Sequence, residues 1–118
     1  MRVIVTGSRI HDDRDMIEQA LRALEQKADW TDIILVHGAA AGADSIAQDV
    51  AFDNGWIVEP HPADWAKYGN RAGYVRNQEM ADLGADLVIA FPIGESRGTR
   101  MMIDIATKAG IPVEVWES

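Results

Sequence analysis

The feature that most constrains the fold is a regular alternation of short apolar runs with segments of helical periodicity. Apolar runs predict five strands at about residues 2–6, 32–37, 56–60, 86–91 and 112–116, because continuous apolar runs are typical of strands covered on both faces. Helices are predicted over about residues 14–28, 72–83 and 99–109, and a further helix ends at Asn54 and Gly55. The alternation predicts an α/β fold, a single domain over residues 1–118 with a mainly parallel five-stranded sheet and helices on both faces.

Several details of these helices follow from single residues. Asp12 and Asp13 are candidate N-caps of the first helix, whose apolar face extends from Ile17 to Ala28. The last helix is expected to begin at about Thr99. Its predicted inward side chains are Met102, Ile105, Ala106 and Ala109. Residues 61–70 are expected to form the longest irregular connection.

Composition narrows the class of protein. The 118 residues, 47% of them hydrophobic, are enough for one compact core, and no apolar run approaches the roughly 20 residues of a membrane helix. The chain has no cysteine, which excludes disulfides and thiolate metal sites and weakly favours a reducing compartment. A strand pattern begins at Arg2, so no signal peptide is expected and a cytoplasmic location is predicted. The net charge of −8 argues against a broad DNA-binding surface.

Residues 86–99 contain the strongest candidate for a binding site. An apolar run ends at Pro92 and opens into the segment GESRGT, after which a helical pattern begins. Unpaired N–H groups and the helix dipole make such a helix start suited to an anion, although an ordinary strand-to-helix turn has the same pattern. Glycine-rich segments also follow the first and second predicted strands, and the carboxyl ends of parallel strands share one edge of the sheet. The three loops together predict a phosphate site.

The residue types in these loops suggest roles for individual side chains. Glycines allow a ligand to approach the backbone closely, hydroxyl groups donate hydrogen bonds to phosphate oxygens, and guanidinium groups bind phosphate or carboxylate bidentately. The candidate ligand-binding residues are Gly7, Ser8, Arg9, His37, Gly38, Gly42, Asp44, Arg76, Gly94, Ser96, Gly98 and Thr99. A solvated surface position is the alternative for Arg9 and Arg76, and only the resemblance described below favours a role at the site for Arg76. The histidines are not spaced with carboxylates as a metal site requires, so neither a metal nor a cofactor is expected.

Several candidates keep a structural alternative. Thr99 can cap the last helix as readily as it can contact a ligand. Asp44 stands where the N-cap of the second helix is expected, and contact with a ribose hydroxyl is its second interpretation. His37 can act as an acid–base group or contact a ribose, but a histidine at a strand end more often has its ring nitrogens hydrogen-bonded to other groups of the protein. Trp65 and Tyr68 can stack on a base or anchor their loop to the core.

Motifs along the chain resemble one known family. TGSR at residues 6–9, HGAAAGAD at 37–44, the loop containing Trp65, RNQEM at 76–80 and FPIGESRGT at 91–99 resemble the SLOG superfamily. The closest resemblance is to its YspA/cpYpsA-related branch of small single-domain proteins, many of them from bacteria and phages. The resemblance covers nearly the whole chain and implies a single Rossmann-like domain. It also implies a nucleotide or a nucleotide derivative, ADP-ribose or NAD-like, as the ligand, with Arg76 and Asn77 of the RNQEM motif at the site.

The same superfamily includes the LOG phosphoribohydrolases and the DprA DNA-processing proteins. Arg76 and Met80 resemble the RK–M element of the LOG enzymes, but Met102 stands where their second motif has its catalytic glutamate. A thioether cannot transfer a proton, so we expect the chain to bind a nucleotide, and thereby to sense or sequester a nucleotide signal, without turnover. The alternative is a nucleotide N-glycosidase or phosphoribohydrolase that uses Arg76 with Glu95 or Glu79.

The expected partner is therefore a small-molecule nucleotide, with no membrane partner and no DNA. A homodimer is a further expectation, because the LOG relatives are dimers. Met101 and Trp116 are apolar positions that an interface could use, and packing into the core is the simpler explanation for both.

Overall fold

The sheet is parallel throughout, as the alternation predicts. A computed structural model describes residues 1–26 and 32–117. Its strands are β1 (Arg2–Gly7), β2 (Ile34–His37), β3 (Ile57–Pro60), β4 (Leu87–Phe91) and β5 (Val113–Val115). They form one sheet in the order β3-β2-β1-β4-β5, and each neighbouring pair is parallel. The predicted α/β fold with a five-stranded sheet is therefore confirmed.

Helices cover both faces of this sheet. They are α1 (Arg14–Arg22), α2 (Ala43–Asp53), the short α3 (Trp65–Tyr68), α4 (Ala72–Asp82) and α5 (Arg97–Lys108), with 3₁₀ turns at Ala23–Gln26 and Gly69–Arg71. Successive side chains of a strand point to opposite faces. Val3 and Val5 of β1 accordingly belong to one buried cluster with α1 and α2, and Ile4 belongs to another with α4 and α5. The two clusters are the two layers of the core.

Helix boundaries differ from the sequence prediction in several places. Helix α1 ends at Arg22, where a 3₁₀ turn follows, instead of continuing as an α-helix to about residue 28. Residues 61–70 are only partly irregular, because α3 begins after Asp64, whose carboxylate caps it by accepting from the Lys67 N–H at 3.0 Å. Helix α5 begins at Arg97, two residues earlier than expected, and it ends before Ala109, which is exposed rather than inward. The prediction that Ala28 continues the apolar face of α1 lies outside the described residues.

Other expectations are met. Asp13 is the N-cap of α1 and accepts from the Met16 N–H at 3.1 Å. Met101 and Trp116 are partly buried and pack against the two core clusters, which agrees with the core interpretation of both residues. Within residues 1–26 and 32–117, no helix has the length and apolar character needed to cross a membrane.

An ion-pair network ties the edge strand β3 to the centre of the sheet. The guanidinium of Arg2 on β1 donates to both carboxylate oxygens of Glu59 on β3, at 2.9 and 2.7 Å. His61 Nε2 lies 2.7 Å from the same carboxylate. Hydrogen bonds from Arg2 and His61 lower the pKa of Glu59 to about 2. The network therefore stabilises the fold while the Glu59 carboxylate is ionised.

Candidate functional site

A cavity of about 240 Å³ opens at the carboxyl ends of the central strands. The chain passes from β1 to β2 and β3 on one side, and then crosses to β4 on the other side of β1, so the strand order reverses here. Open α/β sheets bind ligands at this point. The loops after β1 and β2 and the helices α4 and α5 meet there. The lining residues are Val5, Thr6, Gly7, Ser8, Arg9, Gly38, Ala40, Asp44, Arg76, Asn77, Met80, Ser96, Arg97, Gly98 and Thr99.

Two glycines let α2 begin directly against the loop after β1. A Cβ at Gly7 would lie 3.0 Å from the Phe91 carbonyl oxygen and would collide with the Ala43 side chain. Gly42 has a φ of +72°, and a Cβ there would lie 2.5 Å from the Arg9 carbonyl oxygen. Only glycine adopts such a conformation at so close an approach without strain. Gly42 lies outside the cavity lining, so its evident role is this packing.

The N-terminus of α5 forms one wall of the cavity. Ser96 is its N-cap residue with a φ of +45°, so the capping interpretation of Thr99 is not met. The Ser96 hydroxyl lies 3.2 Å from the Thr99 hydroxyl, and the Ser96 side chain makes no capping hydrogen bond to the backbone N–H groups of the first turn. A Cβ at Gly98 would have no heavy atom within 4 Å. The wall therefore offers two hydroxyl groups and helix N–H groups beside open space.

Arg76 on α4 reaches across the cavity to the loop after β2. Its Nη1 donates to the Gly38 carbonyl oxygen, and its Nε donates to Asn77 Oδ1 at 2.8 Å. A Cβ at Gly38 would lie 2.7 Å from Arg76 Cζ, so glycine at this position leaves room for the guanidinium. Asn77 in turn donates to the Gly98 carbonyl oxygen at 3.4 Å. The predicted residues of the RNQEM motif thus link α4 to the loop after β2 and to the first turn of α5.

The cavity brings two guanidinium groups close together. Burial lowers the pKa of Arg76, the nearby carboxylate of Asp44 raises it, and the positive charge of Arg9 lowers it. Arg9 is exposed, and its guanidinium has no hydrogen-bond or ion-pair partner among the residues described here. Two adjacent cations next to a helix N-terminus form an arrangement that an anionic group would neutralise.

Asp44 is the carboxylate of the cavity. It lies in the first turn of α2, and Gly42 rather than Asp44 is the N-cap, which corrects the capping interpretation. Its Oδ2 accepts from the Gly38 N–H at 3.0 Å and from the Ala40 N–H at 3.3 Å, and so holds the loop after β2. Its Oδ1 is buried and has no hydrogen-bond partner in the part of the chain that the structure describes. Burial raises the pKa of Asp44, while these N–H groups, His37 and Arg76 oppose the rise.

Several predicted residues do not reach the cavity. His37 is buried with both ring nitrogens occupied, because Nδ1 accepts from the Ala39 N–H at 2.9 Å and Nε2 pairs with Gln48 Oε1 at 2.9 Å. Gly94 lies in a turn with a φ of +60° and does not line the cavity. The side chain of Glu95 is 78% exposed and pairs with Arg97 at 3.2 Å. Of the predicted ligand-binding residues, His37, Gly42 and Gly94 thus lie outside the lining and the others lie in it.

One aromatic side chain, that of Trp65, lies near Arg76 of the cavity lining. A Cβ on Gly73 would lie 3.8 Å from Trp65 Cη2 and 4.0 Å from Arg76 Nη2, so these two side chains lie within about 8 Å of each other. The Trp65 side chain is 51% exposed. Tyr68 is partly exposed, with the Lys67 ammonium 5.1 Å from its ring centroid. About half of the Trp65 surface is therefore open to solvent within reach of Arg76.

The histidines other than His37 also lie away from the cavity lining. No group of three or more histidine and carboxylate side chains in residues 1–26 and 32–117 is placed to hold a metal ion. His11 is buried edge-on against Phe91, with ring centroids 5.9 Å apart, and His61 belongs to the network of Glu59.

Five lining residues were not among the predicted ones. They are Val5, Thr6, Ala40, Met80 and Arg97. Val5 directly precedes the first quoted motif and the other four lie inside the motifs, so taking every residue of each motif and the one before the first would have found them.

Comparisons with known proteins agree with this fold. Two crystal structures of the C-terminal domain of PF1911 hydrogenase from Pyrococcus furiosus are similar in fold. The structure of its residues 78–226 has a TM-score of 0.53 at 16% identity, covering 97% of this chain and 89% of that one. The structure of its residues 83–215 has a TM-score of 0.54 at 14% identity, covering 98% of this chain and 90% of that one. Likeness at such low identity concerns the fold alone.

Sequence comparisons identify the family. Gene 61 protein of Mycobacterium phage D29 is 44% identical over 117 residues, which are 95% of this chain and 93% of the phage protein. A model of the YspA, cpYpsA-related SLOG family matches residues 1–68, which include the loops after β1 and β2 that line the cavity. The chain therefore belongs to the YspA, cpYpsA-related SLOG family.

Proposed function

We propose that this chain binds a nucleotide or a nucleotide derivative such as ADP-ribose or an NAD-like molecule. A phosphate group would rest between Arg9, Arg76 and the first turn of α5. The observation that carries the proposal is the meeting of two guanidinium groups with an uncapped helix N-terminus in one cavity. Such a module would sense or sequester a nucleotide signal.

The size of the cavity limits how much of the ligand it encloses. Pockets that bury a whole drug-sized ligand have volumes of about 300–1,000 Å³. A cavity of about 240 Å³ is large enough for a phosphate and a sugar, and the rest of a larger nucleotide would extend through the mouth. Trp65 lies within about 8 Å of Arg76 with half of its surface exposed, so a base that extends from the cavity could stack on it.

Binding without turnover is favoured by the positions of Glu95 and Glu79, the two carboxylates that the enzyme alternative would use. A phosphoribohydrolase needs a carboxylate at the reacting anomeric carbon and its leaving group, to move protons and stabilise positive charge in the transition state. Glu95 is on the surface beside Arg97, and Glu79 is 60% exposed and lies 3.6 Å from His61. Met102, at the position of the LOG glutamate, is fully buried in the core cluster of α4 and α5.

Calorimetric titration with 5′-AMP, ADP-ribose and NAD tests the binding proposal. In Gly98→Glu the new carboxylate enters the open space beside the first turn of α5, and like-charge repulsion of several kcal/mol should weaken binding about 100-fold or more. Gly98→Ala, which adds a methyl group at the same place, is the matched control and should keep most of the affinity. Equal binding by the parent protein and a folded Gly98→Glu variant would place the ligand elsewhere.

Turnover is tested separately by a chromatographic time course with the same three nucleotides at high protein concentration. We expect no release of free base or nicotinamide. Multiple turnovers that Arg76→Ala or Glu95→Gln abolishes would show that the chain is an enzyme.

A further inference from the structure

We infer that Asp44 accepts a hydrogen bond from a sugar hydroxyl of the ligand, so that the cavity selects a ribose phosphate unit rather than phosphate alone. The inference rests on the proposed function, because it concerns the same cavity. It assigns the ligand a second anchoring group besides its phosphate.

The geometry of Asp44 leaves one oxygen for a ligand. Hydrogen bonds from the Gly38 and Ala40 N–H groups fix Oδ2, and they thereby fix the direction of Oδ1. Asp44 lines the cavity with only 5% of its surface exposed, and Oδ1 has no partner within the described ranges. A buried acceptor that stays unsatisfied destabilises the protein, and a ligand that donates to it removes that cost.

Charge decides which part of the ligand faces Asp44. An ionised carboxylate only accepts hydrogen bonds, as do phosphate oxygens, so a phosphate next to Oδ1 would be repelled. Arg9 and Arg76 provide positive charge in the same cavity. The phosphate therefore takes the arginine side, and a donor must take the Asp44 side. In a nucleotide the group next to the phosphate is the ribose, whose 2′ and 3′ hydroxyl groups are donors.

Asp44→Asn changes this contact and little else. The amide oxygen of asparagine can accept from the Gly38 and Ala40 N–H groups as Oδ2 does, and its NH₂ group replaces Oδ1 by a donor. The loop after β2 should therefore stay in place while the acceptor disappears. Asp53→Asn, at the far end of the same helix and 65% exposed in an ion pair with Arg14, is the matched control.

The test is calorimetric titration of the parent protein and both variants with 5′-AMP, 2′-deoxy-AMP and 3′-deoxy-AMP. The parent protein should bind AMP about tenfold or more tightly than at least one deoxynucleotide, since a hydrogen bond to a charged group contributes about 1.5–3 kcal/mol. In Asp44→Asn this preference should vanish. AMP should bind more weakly, whereas the discriminated deoxynucleotide should bind as well as before or better, because a negative charge near its phosphate is gone. Asp53→Asn should behave as the parent protein.

Weaker binding of AMP without weaker binding of the deoxynucleotide cannot come from general damage to the fold, which would weaken the binding of both. A preference for AMP that persists in Asp44→Asn, or a parent protein that binds all three nucleotides equally, would overturn the inference and leave the proposed function standing. If the parent protein bound none of AMP, ADP-ribose and NAD, the proposed function itself would be overturned.

Discussion

Gly38→Ala is a sharp test of how Arg76 is held. The φ of Gly38 is not positive, so the backbone accepts alanine without strain. The added Cβ would nevertheless lie 2.7 Å from Arg76 Cζ and 3.0 Å from its Nε. Because the colliding atoms are the end of a flexible side chain, we expect the guanidinium to move out of the cavity while the fold persists.

The cost can be estimated from the contacts that are lost. Arg76 would give up its hydrogen bonds to the Gly38 carbonyl oxygen and Asn77 Oδ1. Hydrogen bonds of a charged group contribute about 1.5–3 kcal/mol, but the released guanidinium regains hydration that burial denies it in the parent protein. The free energy of unfolding should therefore fall by only about 1 kcal/mol. Nucleotide affinity should fall by about 2 kcal/mol, roughly 30-fold, because a charge-assisted phosphate contact is lost.

Gly73→Ala is the matched control, since its methyl group would lie 4.0 Å from Arg76 Nη2 and 3.8 Å from Trp65 Cη2, which are ordinary contacts. It should gain about 0.5–1 kcal/mol of stability from the better helix former and keep the parent affinity. Urea denaturation and titration with ADP-ribose measure the two quantities. Gly38→Ala that is folded and binds ADP-ribose as tightly as the parent protein would refute the role given to Arg76.

Three further predictions concern stability. Glu59→Gln should lower the free energy of unfolding by about 1 kcal/mol at pH 7, a value that allows for solvent screening of a partly exposed pair. The difference between variant and parent should disappear as the pH falls from about 4.5 towards 2, and urea denaturation of both proteins at pH 7 and pH 3 measures this difference. Burial raises the pKa of Asp44, so ionisation of this carboxyl group destabilises the folded parent protein. Asp44→Asn should therefore become more stable relative to the parent protein as the pH rises above about 4, and a fall in its stability relative to the parent protein over that range would contradict the burial argument. Gly42→Ala should lower the thermal unfolding temperature far more than Gly55→Ala. Both glycines have a positive φ, but a Cβ at Gly42 would lie 2.5 Å from the Arg9 carbonyl oxygen, whereas a Cβ at Gly55 meets no atom of the described residues within 4 Å. Equal losses of thermal stability would mean that the close approach of Gly42 to Arg9 has no effect on stability.

The sheet was predictable because its signal is local. Each strand is a short apolar run, and a chain that alternates strands and helices has few topologies open to it. The loops of the cavity were predictable for the same reason, since glycine-rich segments following parallel strands share one edge. Helix α3 was missed because four residues, WAKY, are too few to show helical periodicity, although Asp64 three residues before Lys67 is a capping signal.

The roles of individual side chains depended on contacts distant in sequence. Asp44 has the spacing of an N-cap, but the positive φ of Gly42 moves the cap two residues earlier and turns the Asp44 carboxylate to the loop after β2. Arg76 and Gly38 are 38 residues apart and meet because a crossover brings α4 to that loop. No local pattern contains this information, whereas the family resemblance pointed to Arg76.

Helices from both layers of the core contribute charged side chains to the cavity. Asp44 belongs to the layer of α1 and α2, Arg76 belongs to the layer of α4 and α5, and both hold the loop after β2. Local opening of either layer would dismantle the site, so a bound ligand adds its binding free energy to the cost of both openings. Amide hydrogens of α2 and α4 would then exchange with solvent more slowly together when a ligand is bound. Binding of a ligand in the cavity would thus make the two separately packed layers of the core unfold as one cooperative unit.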